Sequence, residues 1–558
     1  MIAVILNWIY IMIICTLAGI GIMKPLFLRG VELPAIVYPV SGIVAVTVYA
    51  EIFSIFGRVN MLCHLILLIV VIVIAFLERS RIAELWVSFK NSVVPWEIFF
   101  YCCFILFVAF YTSRGEFHTD TNIYHAQMIR LYEEYGMIKG MGNLQLHYGY
   151  NSAYLAFASV FSMRWLTGQS LHTVTGFLET FMCIYAFHGL RDFMRHRFHM
   201  ADMLKVGILF YTMVILDRSM SPATDYGTML FSLFLITAWC DNMENRKDLN
   251  IYCLLSVLAV FVMTLKFSAA LLGIIVVYPA FLLIKDRKWK EIAGFVAYGC
   301  IILIPFLIRN YLISGWLLYP FNGIDIFHAV WKVPEEYLLK DANQIKVWGR
   351  CLYDVNKIDW PVRQWLPVWW EHQQRYEKMF IGAFLISMIL LAVVWLRKLI
   401  CKKKIGMELI ILVSAVIANL ALWFFLAPFI RYGLAFLIAG IAIAVGAWLN
   451  EQKQGFYSIL TGGLMFLIIV SLTPYLDNYV TDIGVFTKHS LKEPYYLQQK
   501  DYDRTETGSL EINGNVIYYP VEGEINSYHN CPSTCYKWMA ERSTLMGETL
   551  EDGFMPIY

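Results

Sequence analysis

Charged residues are scarce in this chain of 558 amino acids, and their scarcity limits what the protein can be. Only 15% of the residues are Asp, Glu, Lys or Arg, whereas 59% are hydrophobic. This apolar content exceeds what the core of a soluble domain can bury, so the surplus is expected to face lipid. A net charge of +2 without a polybasic tail argues against a nucleic-acid partner and against a peripheral lipid binder.

The first residues lack the marks of a cleaved signal peptide. Residues 1–23 have no basic stretch before the apolar run and no small-residue cleavage site. The run is also too long for a signal-peptide core, so we expect a first transmembrane helix here.

Cysteine is rare outside apolar runs. Only Cys531 and Cys535 lie together in a polar segment, where an oxidising compartment would allow a disulfide.

Long apolar stretches recur along the chain and predict its fold class. Each has about 17 to 22 residues, which is enough to cross a bilayer core. They start near residues 3, 33, 61, 95, 171, 203, 225, 250, 268, 291, 378, 407, 429 and 456. We therefore predict an all-α polytopic membrane protein with about fourteen transmembrane helices.

Short loops rich in Lys and Arg indicate the orientation, because such loops stay in the cytoplasm. All of them can be placed inside only if residues 150–166 do not cross the membrane. We therefore expect that segment to be a helix lying at the outer interface. Both chain ends are then outside.

Two units follow from this topology. Residues 1–474 form a predicted transmembrane module with long outer loops at 112–170 and 313–377. Residues 475–558 form a predicted small external domain, which contains the alternating run NGNVIYYPV and segments punctuated by Pro and Gly. The second unit is expected to be a small α/β segment.

The charges that remain near span ends gather on the predicted outer face. A charge at mid-bilayer costs roughly 2.5 to 3.5 kcal/mol on insertion scales, so such residues usually face a cavity or each other. The pattern predicts a polar, partly buried chamber on that face. Its candidate residues are Asp120, Asp217, Arg218, Asp225, Lys266, Arg309 and Arg431. Of these, Asp217 and Arg218 are adjacent at a turn, where a local solvated pair is the favoured interpretation.

Asp120 precedes a predicted amphipathic helix in the first outer loop, GEFHTDTNIYHAQMIRLYEEYG. It can be a reactive carboxylate, or it can simply cap the helix. His118 and His125 flank it, but no close-spaced set of three or four ligands accompanies them. A divalent metal is therefore possible but not favoured, and no cofactor is expected.

Two arginines and one lysine on this face can bind a phosphate. Arg309, beside Asn310 at the end of a long span, can grip a phosphate with two hydrogen bonds or extend to lipid headgroups. Arg431 lies in a tight connection between apolar helices, where a lone charge needs a partner. Lys266 can form a structural pair with Asp225, or it can bind a lipid phosphate that Asp225 orients.

The second outer loop is rich in tryptophan. Indole rings suit a membrane interface, and they also stack on sugars, with the interfacial interpretation favoured. The residues concerned are Trp348, Trp360, Trp365, Trp369 and Trp370.

Several segments together resemble the C-type (GT-C) superfamily of polytopic membrane glycosyltransferases. HTDTNIYHAQMIRLYEEYG places an aspartate ahead of an amphipathic helix in a long first outer loop, and GYNSAYLAFASVF looks like the superfamily's interfacial jaw helix. DTNIYHAQ, GYNS, LKFS, RNYLISGWLLYP and APFIRYG look like a poorly characterised bacterial group of predicted members. The tail after residue 475 lies outside the common superfamily core.

The resemblance implies an inverting transfer of a sugar from a polyprenyl phosphate to a cell-envelope glycan or lipid. Asp120 would be the general base that deprotonates the acceptor hydroxyl. Positive side chains would stabilise the leaving phosphate, and the other predicted residues would bind donor or acceptor. The predicted substrate-binding residues are His118, Tyr124, His125, Asp225, Lys266, Arg309, Asn310 and Arg431. The implied location is the bacterial cytoplasmic membrane, with the active face outward.

Three other functions are compatible with parts of the sequence. A transporter or flippase of lipid-linked glycans should show inverted repeats and discontinuous helices with charges near the midplane, whereas these charges lie at one face. A polysaccharide polymerase or ligase also uses outer loops and arginines, but the aspartate before a jaw-like helix argues against it. A structural or sensory membrane protein would leave the outer Arg and Lys residues unexplained.

Overall fold

Helices dominate the fold of the protein, which is described by a computed structural model. The structure describes residues 1–114, 117–191, 199–451, 463 and 496–557. The first α-helices are α1 (Ile2–Phe27), α2 (Val37–Phe56), α3 (Met61–Leu77), α4 (Arg79–Ser92), α5 (Pro95–Arg114), α6 (Ala126–Glu134), α7 (Met141–Leu144), α8 (Ala153–Val160), α9 (Arg164–Thr167), α10 (Val174–Leu190) and α11 (Met200–Ile215). They are followed by α12 (Thr224–Asp241), α13 (Leu249–Leu265), α14 (Val277–Lys285), α15 (Trp289–Ser314), α16 (Glu335–Gly349), α17 (Val362–His372), α18 (Arg375–Ile400), α19 (Met407–Leu426), α20 (Ile430–Leu449) and α21 (Lys537–Glu541).

Short segments of other types connect these helices. The 3-10 segments are Leu146–Gly149, Leu216–Arg218, Phe267–Val276, Val355–Lys357 and Leu550–Asp552, and the π-helical turns are Thr121–His125 and Asn242–Arg246. The strands are β1 (Thr507–Ile512), β2 (Asn515–Pro520), β3 (Ser543–Leu545) and β4 (Phe554–Pro556).

The protein is a multi-pass membrane protein. Among the described residues, eight helices are long and apolar enough to cross a membrane. A ninth span is possible if α3 and α4, which meet at an angle of 81°, count as one. The eight are α1, α2, α5, the 3-10 segment Phe267–Val276 continued by α14, α15, α18, α19 and α20.

The predicted count of about fourteen spans is therefore not confirmed. Four of the predicted spans fall on α10, α11, α12 and α13. Of these, α10 and α13 have 17 residues and α11 has 16, and α12 has Asp225 and Asp241 near its ends. Most of their residues are buried within the protein, so their apolar character serves helix packing. The predicted span near residue 456 lies outside the described residues.

Glycines bring α1 and α2 into close contact. A Cβ atom added to Gly19 would lie 1.8 Å from the carbonyl oxygen of Tyr38, and one added to Gly42 would lie 1.6 Å from that of Cys15. Small residues at such crossings let two membrane helices approach backbone to backbone. Larger side chains at these two positions would force the helices apart.

Residues 150–166 do not form a span, but they differ from the predicted interfacial helix. The helical part, α8, has only eight residues, and Ser152 caps it by accepting a hydrogen bond from the Tyr154 backbone N–H at 3.2 Å. Every residue of α8 is buried in the protein. The segment is apolar because it packs against α2 and α6 rather than because it lies exposed at a membrane surface.

The C-terminal segment contains the predicted strands in two small antiparallel sheets. β1 pairs with β2, which covers most of the run NGNVIYYPV, and β3 pairs with β4. The segment packs on the loop between α5 and α8. For example, Asn526 Nδ2 donates a hydrogen bond to the Tyr148 hydroxyl at 2.7 Å. Cys531 and Cys535 are both free thiols, so the disulfide is absent.

Candidate functional site

Arg431 is the centre of a charged cluster in which distant parts of the chain meet. It lies in the first turn of α20, just after Pro428. Its Nη2 atom donates a hydrogen bond to Asp120 Oδ2 at 3.0 Å, and its Nη1 atom lies 2.6 Å from His118 Nε2. Its Nε atom is 3.2 Å from Asp225 Oδ2. The partner that the sequence required for Arg431 is thus a pair of carboxylates.

Lys266 is the last member of this cluster, and it lies between two further helical elements. Its backbone is extended between the end of α13 and the 3-10 segment Phe267–Val276, and these two elements pack against each other. Its ammonium group forms an ion pair with Asp225 Oδ1 and lies 3.7 Å from the centre of the Tyr432 ring. Asp225 is in the first turn of α12, where the helix dipole favours a negative charge. The predicted Asp225–Lys266 pair is present.

Asp120 is not a helix cap. Its side chain makes no capping hydrogen bond to the π-helical turn Thr121–His125 that follows it. Its carboxylate instead contacts Arg431, and its Oδ1 atom is 3.8 Å from His118 Nδ1. About a fifth of the side chain, 21%, is exposed, whereas the Asp225 side chain is only 3% exposed. Asp120 is therefore the more accessible carboxylate of the two.

The charges around Asp120 determine its protonation. Burial raises the pKa of the carboxyl group, but the positive charge of Arg431 and the nearby His118 outweigh burial, so the pKa is lowered to about 2. Burial lowers the pKa of His118, and it lowers the pKa of His125 to about 3. At neutral pH this part of the site holds an ionised carboxylate beside neutral imidazoles.

A cavity of about 320 Å³ opens beside the cluster. Asp120, Lys266 and Arg431 line it, while Asp225 does not. A second part of the wall is apolar and comes mainly from the ends of α13 and α19. Its residues include Leu265, Phe267, Leu422, Trp423, Leu426 and Phe429.

A third part of the wall carries a carboxylate that the sequence analysis did not single out. Asp341, in α16, is 4% exposed. Its Oδ2 atom accepts a hydrogen bond from the Tyr150 hydroxyl and a longer one, at 3.4 Å, from the Tyr319 hydroxyl. The Nε2 atom of His147 is 3.9 Å from its Oδ1 atom. All four of these residues line the cavity.

The structure does not bring Arg309 and Asn310 to the cavity wall. Arg309 is fully buried, at 0% exposure. Its Nε atom donates a hydrogen bond to Asn151 Oδ1 at 3.1 Å, its Nη1 atom donates one to Ser54, and its guanidinium lies 4.7 Å from the Tyr132 ring centre. Arg309 therefore supports the wall through Asn151, which does line the cavity.

Two of the other predicted residues lie next to the cavity in different ways. Tyr124 lines the cavity, and its ring stacks on His147 with 5.3 Å between ring centres. His125 is 2% exposed, its Nδ1 atom is 3.3 Å from Thr121 Oγ1, and it does not line the cavity. Successive residues of one turn thus point in different directions.

The tryptophans predicted in residues 313–377 differ in their burial. Trp365 and Trp369 are almost fully buried and pack on the rings of Phe424 and Trp423. Trp348 is 40% exposed and lines the cavity. The favoured interfacial interpretation therefore does not describe Trp365 and Trp369, because they pack against α19.

In the part of the chain that the structure describes, no three or more His, Cys, Asp or Glu side chains gather as a metal site. His118 and Asp120 are held by Arg431 instead.

One family model matches most of the chain. A family model described as a domain of unknown function (DUF8201) matches residues 1–438. The match covers the charged cluster and the Asp341 group, and it ends before the C-terminal sheets. No curated protein and no solved structure matches the chain.

Proposed function

The chain belongs to the DUF8201 family, and we propose that it is a membrane glycosyltransferase. It moves a sugar from a polyprenyl-phosphate donor to a glycan or lipid acceptor of the cell envelope. In this proposal the site faces outward from the bacterial cytoplasmic membrane. No metal is needed in this mechanism, because side chains supply both the base and the positive charge.

One observation carries the proposal: a single cavity presents an accessible carboxylate, two cations and an apolar wall. Asp120, Lys266 and Arg431 line it together. A carboxylate can take a proton from an acceptor hydroxyl, and two cations can hold a phosphate. The apolar wall gives the prenyl chain next to that phosphate a place out of water. A lipid-linked sugar phosphate needs all three.

The reaction can be written with these groups alone. The acceptor hydroxyl gives its proton to an Asp120 carboxylate oxygen, and the acceptor oxygen forms a bond to the anomeric carbon of the sugar. The bond between that carbon and the phosphate oxygen breaks, and the electron pair leaves with polyprenyl phosphate. Arg431 and Lys266 stabilise the negative charge that develops there. Attack from the side opposite the phosphate inverts the anomeric configuration.

Arg431 links donor binding to the basicity of Asp120. Its guanidinium contacts both Asp120 and Asp225. A donor phosphate competes for the same N–H groups. Once Arg431 turns to the phosphate, it holds Asp120 less strongly, and we expect the pKa of Asp120 to rise from about 2 toward a value suited to a base. Proton transfer is thus coupled to the presence of the donor.

Asp225 has a supporting part in this mechanism. It is nearly fully buried and contacts both Lys266 and Arg431. It therefore fixes the two cations at a spacing set by its two oxygens, and it keeps them charged in a part-buried place. It acts through them, as a positioning residue.

The test is transfer of label from a radiolabelled polyprenyl-phosphate sugar in proteoliposomes. Wild-type protein is compared with Asp120→Asn and with the matched control Asp325→Asn. Asp325 lies in the second predicted outer loop, its side chain is 43% exposed, and it pairs with Lys332 outside the cavity. Loss of a general base should lower the transfer rate by roughly 10² to 10⁴ fold, whereas Asp325→Asn should transfer at the wild-type rate.

Two outcomes would contradict the proposal. Equal transfer by wild type and Asp120→Asn, at equal insertion and thermal stability, would remove Asp120 from the reaction. Movement of the labelled lipid across the bilayer without any transfer, in wild type, would favour a flippase.

A further inference from the structure

The part of the cavity around Asp341 is separate from the charged cluster. Its polar groups are the carboxyl groups of Asp341 and Glu524, the amide of Gln344, phenols and an imidazole, and it contains no Lys or Arg among its lining residues. Such a set does not suit a phosphate. It lies in the same cavity as Asp120, so a molecule that reaches the proposed base can also reach it.

Asp341 has one occupied and one open oxygen. Oδ2 accepts hydrogen bonds from Tyr150 and Tyr319. Oδ1 accepts no hydrogen bond from the described residues, and its nearest polar neighbour is His147 at 3.9 Å. A carboxylate oxygen fixed in this way can accept hydrogen bonds from ligand hydroxyls.

Aromatic rings line the same part of the cavity. Tyr124 stacks on His147 with an angle of 17° between the rings, and the Tyr150 and Tyr319 rings meet edge to face at 5.3 Å. Tyr124, Tyr150 and His147 are partly exposed, so their faces are not fully covered by protein. A carboxylate among accessible aromatic rings matches the two surfaces of a sugar, which are its hydroxyl groups and its C–H face.

The C-terminal segment contributes to the same wall. Tyr536 lies 6.0 Å from His147 between ring centres, and Glu524 is exposed at the edge of the cavity. Hydrogen bonds hold the segment against the loop before α8, because the backbone N–H of Cys535 donates to Gln145 at 3.0 Å and Thr534 Oγ1 donates to the Leu144 carbonyl at 3.0 Å. The cavity wall is therefore incomplete without residues 524–536.

We infer that Asp341, with Tyr150, Tyr319, His147 and Tyr536, forms a binding subsite for the ring of a neutral sugar. The inference rests on the proposed function, since it assigns this ring to the donor sugar or to a sugar of the acceptor. Glu524 is acidic and this part of the cavity has no Lys or Arg, so a sugar with a carboxylate is disfavoured. Asp341 binds and orients the ring, and it does not take the proton.

Binding is measured first, without any lipid donor. The probes are methyl glucoside, methyl galactoside, methyl mannoside and the anionic methyl glucuronoside, titrated into purified protein. The signal is tryptophan fluorescence, since Trp348 and Trp423 line the cavity. At least one neutral glycoside should bind, the glucuronoside should bind more weakly, and Asp341→Asn should weaken binding about tenfold. Asp325→Asn should bind as wild type does.

Transfer kinetics then identify the source of the sugar. Asp341→Asn should raise the KM for the acceptor if the acceptor ring occupies the subsite, or the KM for the donor if the donor sugar does, by about tenfold and with a smaller change in kcat. Tyr319→Phe removes only a 3.4 Å hydrogen bond. It should change the same KM less, and it serves as the test if Asp341→Asn is unstable in thermal unfolding.

The outcomes separate this inference from the proposed reaction. Glycoside binding that depends on Asp341, together with no sugar transfer by wild type, would keep the subsite and reject the reaction. Transfer that depends on Asp120 and is unchanged in Asp341→Asn would keep the reaction and overturn the subsite. Wild-type protein that binds none of the glycosides, or binds the glucuronoside best, would also overturn it.

Discussion

Asp120 and Asp341 line one cavity but lie in opposite chemical environments. Asp120 is beside a guanidinium, and its pKa is lowered to about 2 although burial raises it. Asp341 is buried among phenols, and burial raises its pKa, only partly offset by His147 and the two tyrosines. Two carboxylates whose surroundings shift their pKa values in opposite directions are suited to different tasks.

The comparison explains why one carboxylate is assigned to the reaction and the other to binding. In the proposed mechanism Asp120 shares its cation with the donor phosphate, so its environment should change when the donor binds. The contacts of Asp341 are with two phenols and His147. We expect these contacts to stay constant through the proposed reaction, as a residue that orients a ring requires.

The largest expected effect comes from Arg309, which supports the cavity wall through Asn151. Arg309→Gln removes the hydrogen bonds that the buried guanidinium donates to Asn151 and Ser54, and its contact with the Tyr132 ring. A buried polar group that loses its hydrogen-bond partner costs about 1 to 3 kcal/mol, and two such groups are affected here. Thermal unfolding in detergent should show a large loss of stability, whereas exposed Arg363→Gln should show none. Loss of transfer at unchanged stability would instead put Arg309 at the substrate.

A smaller effect is expected when only the Asp120 part of the cavity is changed. Arg431→Lys keeps one positive charge but cannot contact Asp120, His118 and Asp225 together. Transfer should fall by roughly 10² to 10³ fold, as for the loss of one donor that stabilises developing charge. Binding of free methyl glycosides should not change. If glycoside binding fell as much as transfer, the two parts of the cavity would not be separate.

Removing a phenol hydroxyl beside Asp341 should have a moderate effect, confined to the Asp341 part of the cavity. Tyr150→Phe removes the hydroxyl that donates to Oδ2 and keeps the ring. A hydrogen bond contributes about 0.5 to 1.5 kcal/mol, so glycoside affinity should fall while the dependence of transfer on Arg431 persists. Equilibrium titration of the variant measures this. An unchanged affinity would show that Oδ2 is not held by this hydroxyl.

The smallest effect is a pH dependence of stability at Asp341. Burial raises its pKa in the folded protein, so the folded state favours the protonated form. Its stabilising contribution is therefore complete below the unfolded pKa, about 3.9, and is lost as pH rises through the folded pKa. The stability of wild type relative to Asp341→Asn should fall from acid to neutral pH. Thermal unfolding across that range checks the sign, and a difference that grows with pH would contradict it.

The sequence predicted the charged cluster better than it predicted the membrane spans. Asp120, Asp225, Lys266 and Arg431 interrupt or border apolar runs, and a charge in such a place needs a partner. Their meeting could therefore be expected without a structure. The number of spans could not, because a buried helix such as α10 is as apolar as a helix that faces lipid.

Asp341 was missed because α16 has many charges and resembles a solvent-exposed helix. A signal was present, however. Leu338 and Asp341 are three residues apart on one face, Ile345 follows after four, and both Leu338 and Asp341 are buried. A carboxylate within a buried stripe at helical spacing is a candidate for a site. Arg309 was predicted to bind substrate, but it is buried and does not line the cavity. The sequence could not show this, because it does not reveal on which side of a long helix a terminal arginine lies.

The most direct measurement is an experimental structure of the Asp120→Asn variant with a bound polyprenyl-phosphate sugar, which this variant should hold without turnover. We predict the phosphate within hydrogen-bond distance of Arg431 and Lys266, the prenyl chain along Leu422 and Leu426, and the anomeric carbon facing position 120. A phosphate bound at Arg309, or a donor bound outside this cavity, would contradict the account.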